Sequence, residues 1–319
     1  MKKFTLLFIV LATLIACSKK QDAIQEKVQA ISVNIKVDRF DKAFFETPIQ
    51  DLPQLKRQYP AFFPTGVPDT VWTNKMKNQL WRELYGEVQK QFGDFKNQKQ
   101  EINNLFQHIK YFYPKIKIPK VVTLIQEMDP EYKVIYADSL VLVSLELYLG
   151  KNHKFYEFPA YQKQGFEPAQ MLPDMVEQFS LRKVKPPTQN DLLSLMVYSG
   201  KQLYLKDILL PDLSDEVKIC YTPEQLQYCI ENQSNMWRFF IEQNLLYNTN
   251  PKLAGQFINQ APFSKFGLVS DNDTPGRVGA WFGWQIVRAY MDNNKVNLQQ
   301  MLAMDAKDIF QKSQYKPKK

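Results

Sequence analysis

A segment near the C-terminus constrains the fold of this chain more than any other. From Asp271 to Met291 it reads DNDTPGRVGAWFGWQIVRAYM. Val278, Ala280, Trp281, Phe282, Trp284, Ile286, Val287 and Tyr290 put apolar side chains on nearly every side of a helix. A helix that is apolar all round belongs inside a protein. Asp273 or Thr274 can supply its cap, and Pro275 suits its first turn. Gly276, Gly279 and Gly283 fall on one face, at i, i+3 and i+7. An interior glycine costs a helix about 1 kcal/mol relative to alanine, so the shared face predicts a second backbone in close approach. Gly279-x-x-x-Gly283 also matches a membrane-helix dimer pattern. The apolar window is shorter than the roughly 20 residues a bilayer span needs. The segment is read as the central core helix of a soluble domain.

The other end of the chain carries an address. Lys2 and Lys3 precede an apolar run, Phe4 to Ala16, too short to span a membrane and flanked like a signal peptide. It ends Leu14-Ile15-Ala16-Cys17, which resembles the bacterial lipobox: cleavage before the cysteine, with a diacylglycerol on its thiol. Residues 1–16 are therefore expected to be a signal peptide, Cys17 the lipidated residue, and 17–30 a polar tether. The alternative is an ordinary secretory signal with an incidental cysteine. Two or more acyl chains hold a protein on a membrane stably, whereas one is marginal. The formal charge of +8 falls to +6 once Lys2 and Lys3 are removed. The basic residues are dispersed, which suits anionic surroundings such as lipid headgroups and suits a merely soluble basic protein as well. An exported chain has no nucleic acid to meet.

With 319 residues, 45% of them hydrophobic and only 11 glycines, the chain can build one large, mostly helical domain. Ile31 to Phe40 alternates apolar and polar residues, the period of a half-buried strand. One helix is expected from Asp69-Thr70 through Trp72, Met76, Leu80, Leu84 and Val88, and another from Asn97 to Phe112. Val121 to Gln126, Tyr132 to Ala137 and Leu140 to Leu145 read as a small antiparallel sheet, with a partly helical alternative for Leu140 to Leu149. Further helices are expected at Pro168 to Phe179, at Gln189 to Leu205 capped by Thr188, at Glu224 to Asn232, at Met236 to Tyr247 and at Asn297 to Phe310. The fold class is α+β: a mostly helical single domain over 31–310 with a small antiparallel or mixed sheet, followed by a basic tail at 311–319.

Candidate chemistry is sparse. The only histidines are His108 and His153, and no pair has the spacing of a zinc peptidase. Neither a nucleophile elbow nor a glycine-rich phosphate loop is present, so no catalytic residue, metal or cofactor is expected. Asp174 and Glu177 stand at i, i+3 on one helix face, a pair that could do acid–base work or hold a cation but is usually a solvated surface. Arg277 and Arg288 flank Trp281 and Trp284. Arginine and tryptophan dominate binding hot spots, though core tryptophans and ion-paired arginines explain the four equally. Cys220 ends a strand-like run and Cys229 sits on the next helix. They are either a disulfide or two buried thiols.

Leu14 to Cys17, Ile135 to Gly150 (IYADSLVLVSLELYLG), Leu172 to Phe179 (LPDMVEQF) and Thr274 to Met291 together resemble the gliding-motility lipoprotein GldB family of Bacteroidetes. The resemblance implies a lipid-anchored cell-envelope protein needed for gliding, with other gliding-machinery proteins as partners and type IX secretion as the associated apparatus. It carries over no catalytic residue. Lipoproteins of that group displayed at the cell surface tend to carry an acidic run after the cysteine. Ser18-Lys19-Lys20-Gln21 lacks one, which favours the periplasm. The order sheet, helix 168–179, helix 189–205, then a late Pro-Gly turn into a glycine-bearing helix is also similar to zincin-like metallopeptidases. The helix that would carry His-Glu-x-x-His reads Pro173-Asp174-Met175-Val176-Glu177, so Asp174 and Glu177 mark a vestigial site on that reading. The expected function is a non-catalytic binding or scaffold component. The alternatives are a cell-wall or peptide hydrolase using Asp174, Glu177 and His153, and an envelope chaperone for motility proteins.

Overall fold

The computed structural model describes residues 24–318. A four-stranded sheet is ordered β1 (Val37–Arg39), β2 (Lys120–Leu124), β4 (Leu140–Ser144), β3 (Val134–Ala137). The expected antiparallel pairing forms between β3 and β4, as a hairpin paired from Val134–Val143 to Ala137–Leu140. The rest of the sheet is parallel: β2 runs with β4, and β1 with β2. The sheet is thus mixed rather than antiparallel. The chain leaving β2 turns through a short 3-10 helix, Pro130–Tyr132, and lays β3 along the edge. The hairpin then returns β4 to the slot beside β2. Val121, Thr123, Val141 and Val143 are fully buried.

Only Val37–Arg39 of the expected 31–40 strand joins the sheet. Upstream, side chains of a helix answer the backbone instead: Ile35 N donates to Asn103 Oδ1, and Gln107 Nε2 donates to Ile31 O. Residues 24–29 are helical (α1), and Val28 is buried. The long β1-to-β2 connection holds α2 (Phe40–Glu46), α3 (Leu52–Gln58), α4 (Asp69–Lys77), α5 (Gln79–Phe92) and α6 (Lys96–Phe112). Where one helix was expected from Asp69 to Val88, two form. Asn78 ends α4 in an extended conformation and caps α5 by accepting from Trp81 N, which leaves Leu80 60% exposed.

After the short α7 (Ala160–Lys163) come α8 (Met171–Lys183) and α9 (Leu192–Leu209). Asp191, not Thr188, caps α9 by accepting from Ser194 N at 2.8 Å. Then follow α10 (Asp215–Ile219), α11 (Pro223–Glu231), α12 (Gln233–Glu242), α13 (Lys252–Phe257), α14 (Val278–Asn293), α15 (Leu298–Ala303) and α16 (Ala306–Ser313). The expected helix 297–310 is two, because Lys201 of α9 reaches in and binds Leu302 O and Met304 O at 3.0 and 2.6 Å. Those carbonyls are lost to helix continuation, and α16 restarts after Asp305.

The apolar segment is the core helix α14, and its tryptophans are 2% (Trp281) and 0% (Trp284) exposed. It crosses α9 backbone to backbone. A Cβ on Gly283 would lie 1.7 Å from Met196 O, and one on Gly200 2.2 Å from Gly283 C. Helix α14 begins at Val278, later than expected. Thr274 spends its hydroxyl on Ser264 O and Asp271 O instead of capping. Val278 N is capped by Ser264 Oγ, and Arg277 turns into the helix with φ +64°. Gly276 belongs to that turn, where a Cβ would meet Ala261 O at 2.1 Å.

Candidate functional site

The structure separates the four hot-spot candidates. Trp281 and Trp284 fill the core. Arg288 forks onto two carboxylates, Asp207 on α9 and Asp215 on α10, through four hydrogen bonds of 2.6–2.8 Å. Its guanidinium lies 3.7 Å over the Trp284 ring, and Trp284 Nε1 donates to Asp207 at 2.8 Å. This is a clamp joining three helices. Arg277 lies elsewhere, within electrostatic reach of Glu177.

The acid pair on α8 is not a bare surface. Asp174 pairs with Lys133 at 2.5 Å and accepts from the buried Tyr148 hydroxyl at 2.8 Å. Glu177 pairs with Lys206 of α9 at 2.9 Å. Lys133 precedes β3, and its ammonium also bonds Gly165 O at 3.2 Å. Gly165 packs closely here: a Cβ there would lie 3.2 Å from Lys133 Nζ, which would have to give by a few tenths of an ångström, and 3.7 Å from Cys220 Sγ, an ordinary contact. Cys220 closes the group from a left-handed turn, φ +60°, after α10, where a strand-like run was expected. Cys220 and Cys229 are free thiols.

The electrostatics follow from these contacts. The positive charge of Lys206, with Arg277 and Lys133 behind it, holds the Glu177 carboxyl down to about 2 against the opposing effect of burial. Burial alone would depress the Lys133 ammonium. Asp174 outweighs it, and the pKa ends up raised. Burial, reinforced by Asp174, pushes the Cys220 thiol up, so it is held as a thiol and not as a reactive thiolate. Glu177 keeps 42% of its side-chain surface accessible despite the cations around it, so the cluster opens on solvent. Lys133, Lys206 and Arg277 against Asp174 and Glu177 leave one net positive charge.

Ammonium groups occupy the positions from which a cation would meet these carboxylates. The donor set therefore does not fit a divalent metal, which takes several oxygen or nitrogen ligands at once. Among the described residues no group of three or more His, Cys, Asp and Glu side chains converges. Neither histidine is among the groups that contact Asp174 or Glu177. His108 is buried in α6 with Nδ1 unpartnered, and burial depresses its pKa. His153 lies 3.6 Å from Glu87 of α5.

The spacing of Asp174 and Glu177 found one wall of the site and missed the other. Lys133, Tyr148, Gly165 and Lys206 come from separate parts of the chain. One signal was available. Lys201 and Lys206 interrupt an 18-residue helix that is otherwise largely apolar, and both are buried. A buried lysine requires a partner.

The chain matches no curated protein and no solved structure. Residues 21–317, nearly its whole length, match the family described as "Gliding motility protein GldB". The chain belongs to that family.

Proposed function

We propose that this protein is a lipid-anchored, non-catalytic binding component of the gliding apparatus and its associated type IX secretion machinery. It is held at Cys17 and faces the periplasm. Family membership supplies the motility role. Cys17 lies outside the described residues, and among those described no helix is long and apolar enough to cross a membrane. The observation that carries the non-catalytic reading is the mutual neutralisation of the α8 acids. Lys133 and Lys206 hold them as ion pairs, and the Lys206 ammonium keeps the Glu177 carboxyl well below its usual range, which argues against Glu177 as the proton donor of a hydrolase. An acid–base pair for hydrolysis needs one group that titrates near the working pH.

Complementation of a deletion strain tests this. Asp174→Asn and Glu177→Gln keep the side-chain shape and one acceptor oxygen while removing the acids. Cells carrying either variant at normal levels should glide. Loss of gliding with a folded, membrane-bound variant would contradict the reading and favour a hydrolase.

A further inference from the structure

Three arginines among the described residues are half-buried: Arg39, Arg277 and Arg288. A guanidinium carries five N–H donors. Arg39 uses its own on both Asp41 oxygens, Phe92 O, Gly93 O and Gln89. Arg288 grips Asp207 and Asp215. Arg277 makes one long bond, 3.4 Å to Ile219 O, and among the described residues no carboxylate lies within 4.0 Å of it. A half-buried fork left this empty is costly unless solvent or a ligand completes it.

Arg277 lines a recess of about 30 Å³ with Cys220, Tyr161, Gln164, Gln225 and Gln260. The space admits one small group, not a polymer chain. Its side-chain amides are already engaged, Gln164 Nε2 with Cys220 O and Gln225 Oε1, and Gln260 Nε2 with Tyr161 O, which leaves the Arg277 guanidinium to meet a ligand. Lys133 and Lys206 are balanced by their own acids, so Arg277 brings the one unbalanced positive charge, which matches a monoanion better than a phosphate dianion. A planar carboxylate fits a guanidinium fork through two parallel hydrogen bonds.

We infer that the Arg277 recess is a receptor for the free C-terminal carboxylate of a partner polypeptide. This rests on the binding reading above and names what is bound. Arg277 receives the two oxygens, and its left-handed turn, φ +64°, aims it from the start of α14.

The test uses the mature lipoprotein in detergent. N-acetyl-trialanine with a free carboxylate, its C-terminal amide, an amidated N-acetyl peptide with an internal glutamate, and inorganic phosphate are compared as protectants. The readout is phenylglyoxal modification of Arg277, followed by mass spectrometry. At about ten times its Kd the free acid should slow the modification about tenfold, since only the unliganded fraction reacts, and the other three at the same concentration should leave it unchanged. Binding of a fluorescent form of the acid should weaken about tenfold or more in Arg277→Gln and less in Arg277→Lys, with circular dichroism confirming the native fold. If Arg277→Gln does not fold, the protection series on the native protein decides alone. Equal protection by the amide, the internal glutamate or phosphate would overturn the assignment, as would undiminished binding by folded Arg277→Gln. Such a failure beside gliding Asp174→Asn and Glu177→Gln cells would remove the carboxylate ligand and leave the binding reading standing.

Discussion

Replacing Gly283 by alanine should destabilise this protein, although alanine is the better helix former. On an unconstrained helix the change stabilises by about 1 kcal/mol. In α14 the new carbon would lie 1.7 Å from Met196 O and 2.3 Å from Met196 C, where ordinary contact needs about 3.5 Å. The obstacle is backbone, so no rotamer change relieves it, and α9 and α14 would have to part by about 1.5–2 Å. Both helices carry fully buried side chains at the crossing, among them Met196, Val197, Phe282 and Trp284. Overpacking a well-filled core costs about 1–3 kcal/mol, and loosening this crossing places Gly283→Ala at about 3 kcal/mol, net of the helix-propensity gain. Gly86, in the interior of α5, has nothing within 4 Å of its would-be Cβ, so Gly86→Ala should stabilise by about 0.5–1 kcal/mol. Urea denaturation followed by far-UV circular dichroism reads both. Opposite signs are expected. A Gly283→Ala protein as stable as the parent would refute the close crossing.

Two further outcomes follow from buried charge. Arg288→Ala should cost about 2–4 kcal/mol in the same assay, because Asp207 and Asp215 lose their shared guanidinium. Arg288→Lys should recover less than half of that, since an ammonium cannot fork to two carboxylates, and full recovery would show the clamp to be simple charge pairing. Glu146 is fully buried with one oxygen unpartnered, and burial raises its carboxyl from 4.5 to about 7. The native state therefore holds a proton that the unfolded chain has released. That contribution is fully present below pH 4.5 and lost as pH rises through 7. Glu146→Gln should accordingly gain on the parent protein from pH 5 to pH 8, by on the order of 3 kcal/mol at the upper end, and a difference that stays flat with pH would contradict the assignment.

The legible parts of this fold are those set by local pattern. All-round apolarity identified α14 as a core helix, and its glycine face announced a neighbour. The partner glycine, Gly200, lies in a segment whose own pattern gives no reason to single it out. Start and stop points were less legible because capping residues had other work: Thr274 ties down a loop, and Asn78 splits what looked like one helix. The 31–40 alternation gave only a three-residue strand because Asn103 and Gln107, far along the chain, satisfy the backbone before it. The same holds at the site. Helical spacing put Asp174 and Glu177 on one face, but nothing local shows that Lys133 and Lys206 arrive to neutralise them. Arg277 read as a flank of the tryptophan pair, and only the turn at Gly276 directs it to the acid cluster.

The proposed tethered body holds a partner instead of turning over a substrate. A photo-crosslinking amino acid at Gln260, exposed at the lip of the Arg277 recess, tests this most directly in gliding cells. A discrete adduct with an envelope protein is expected, lost in Arg277→Gln and absent when the crosslinker sits at the exposed Leu80 of α5. No adduct at Gln260 in cells that glide normally, or one indifferent to Arg277, would contradict it.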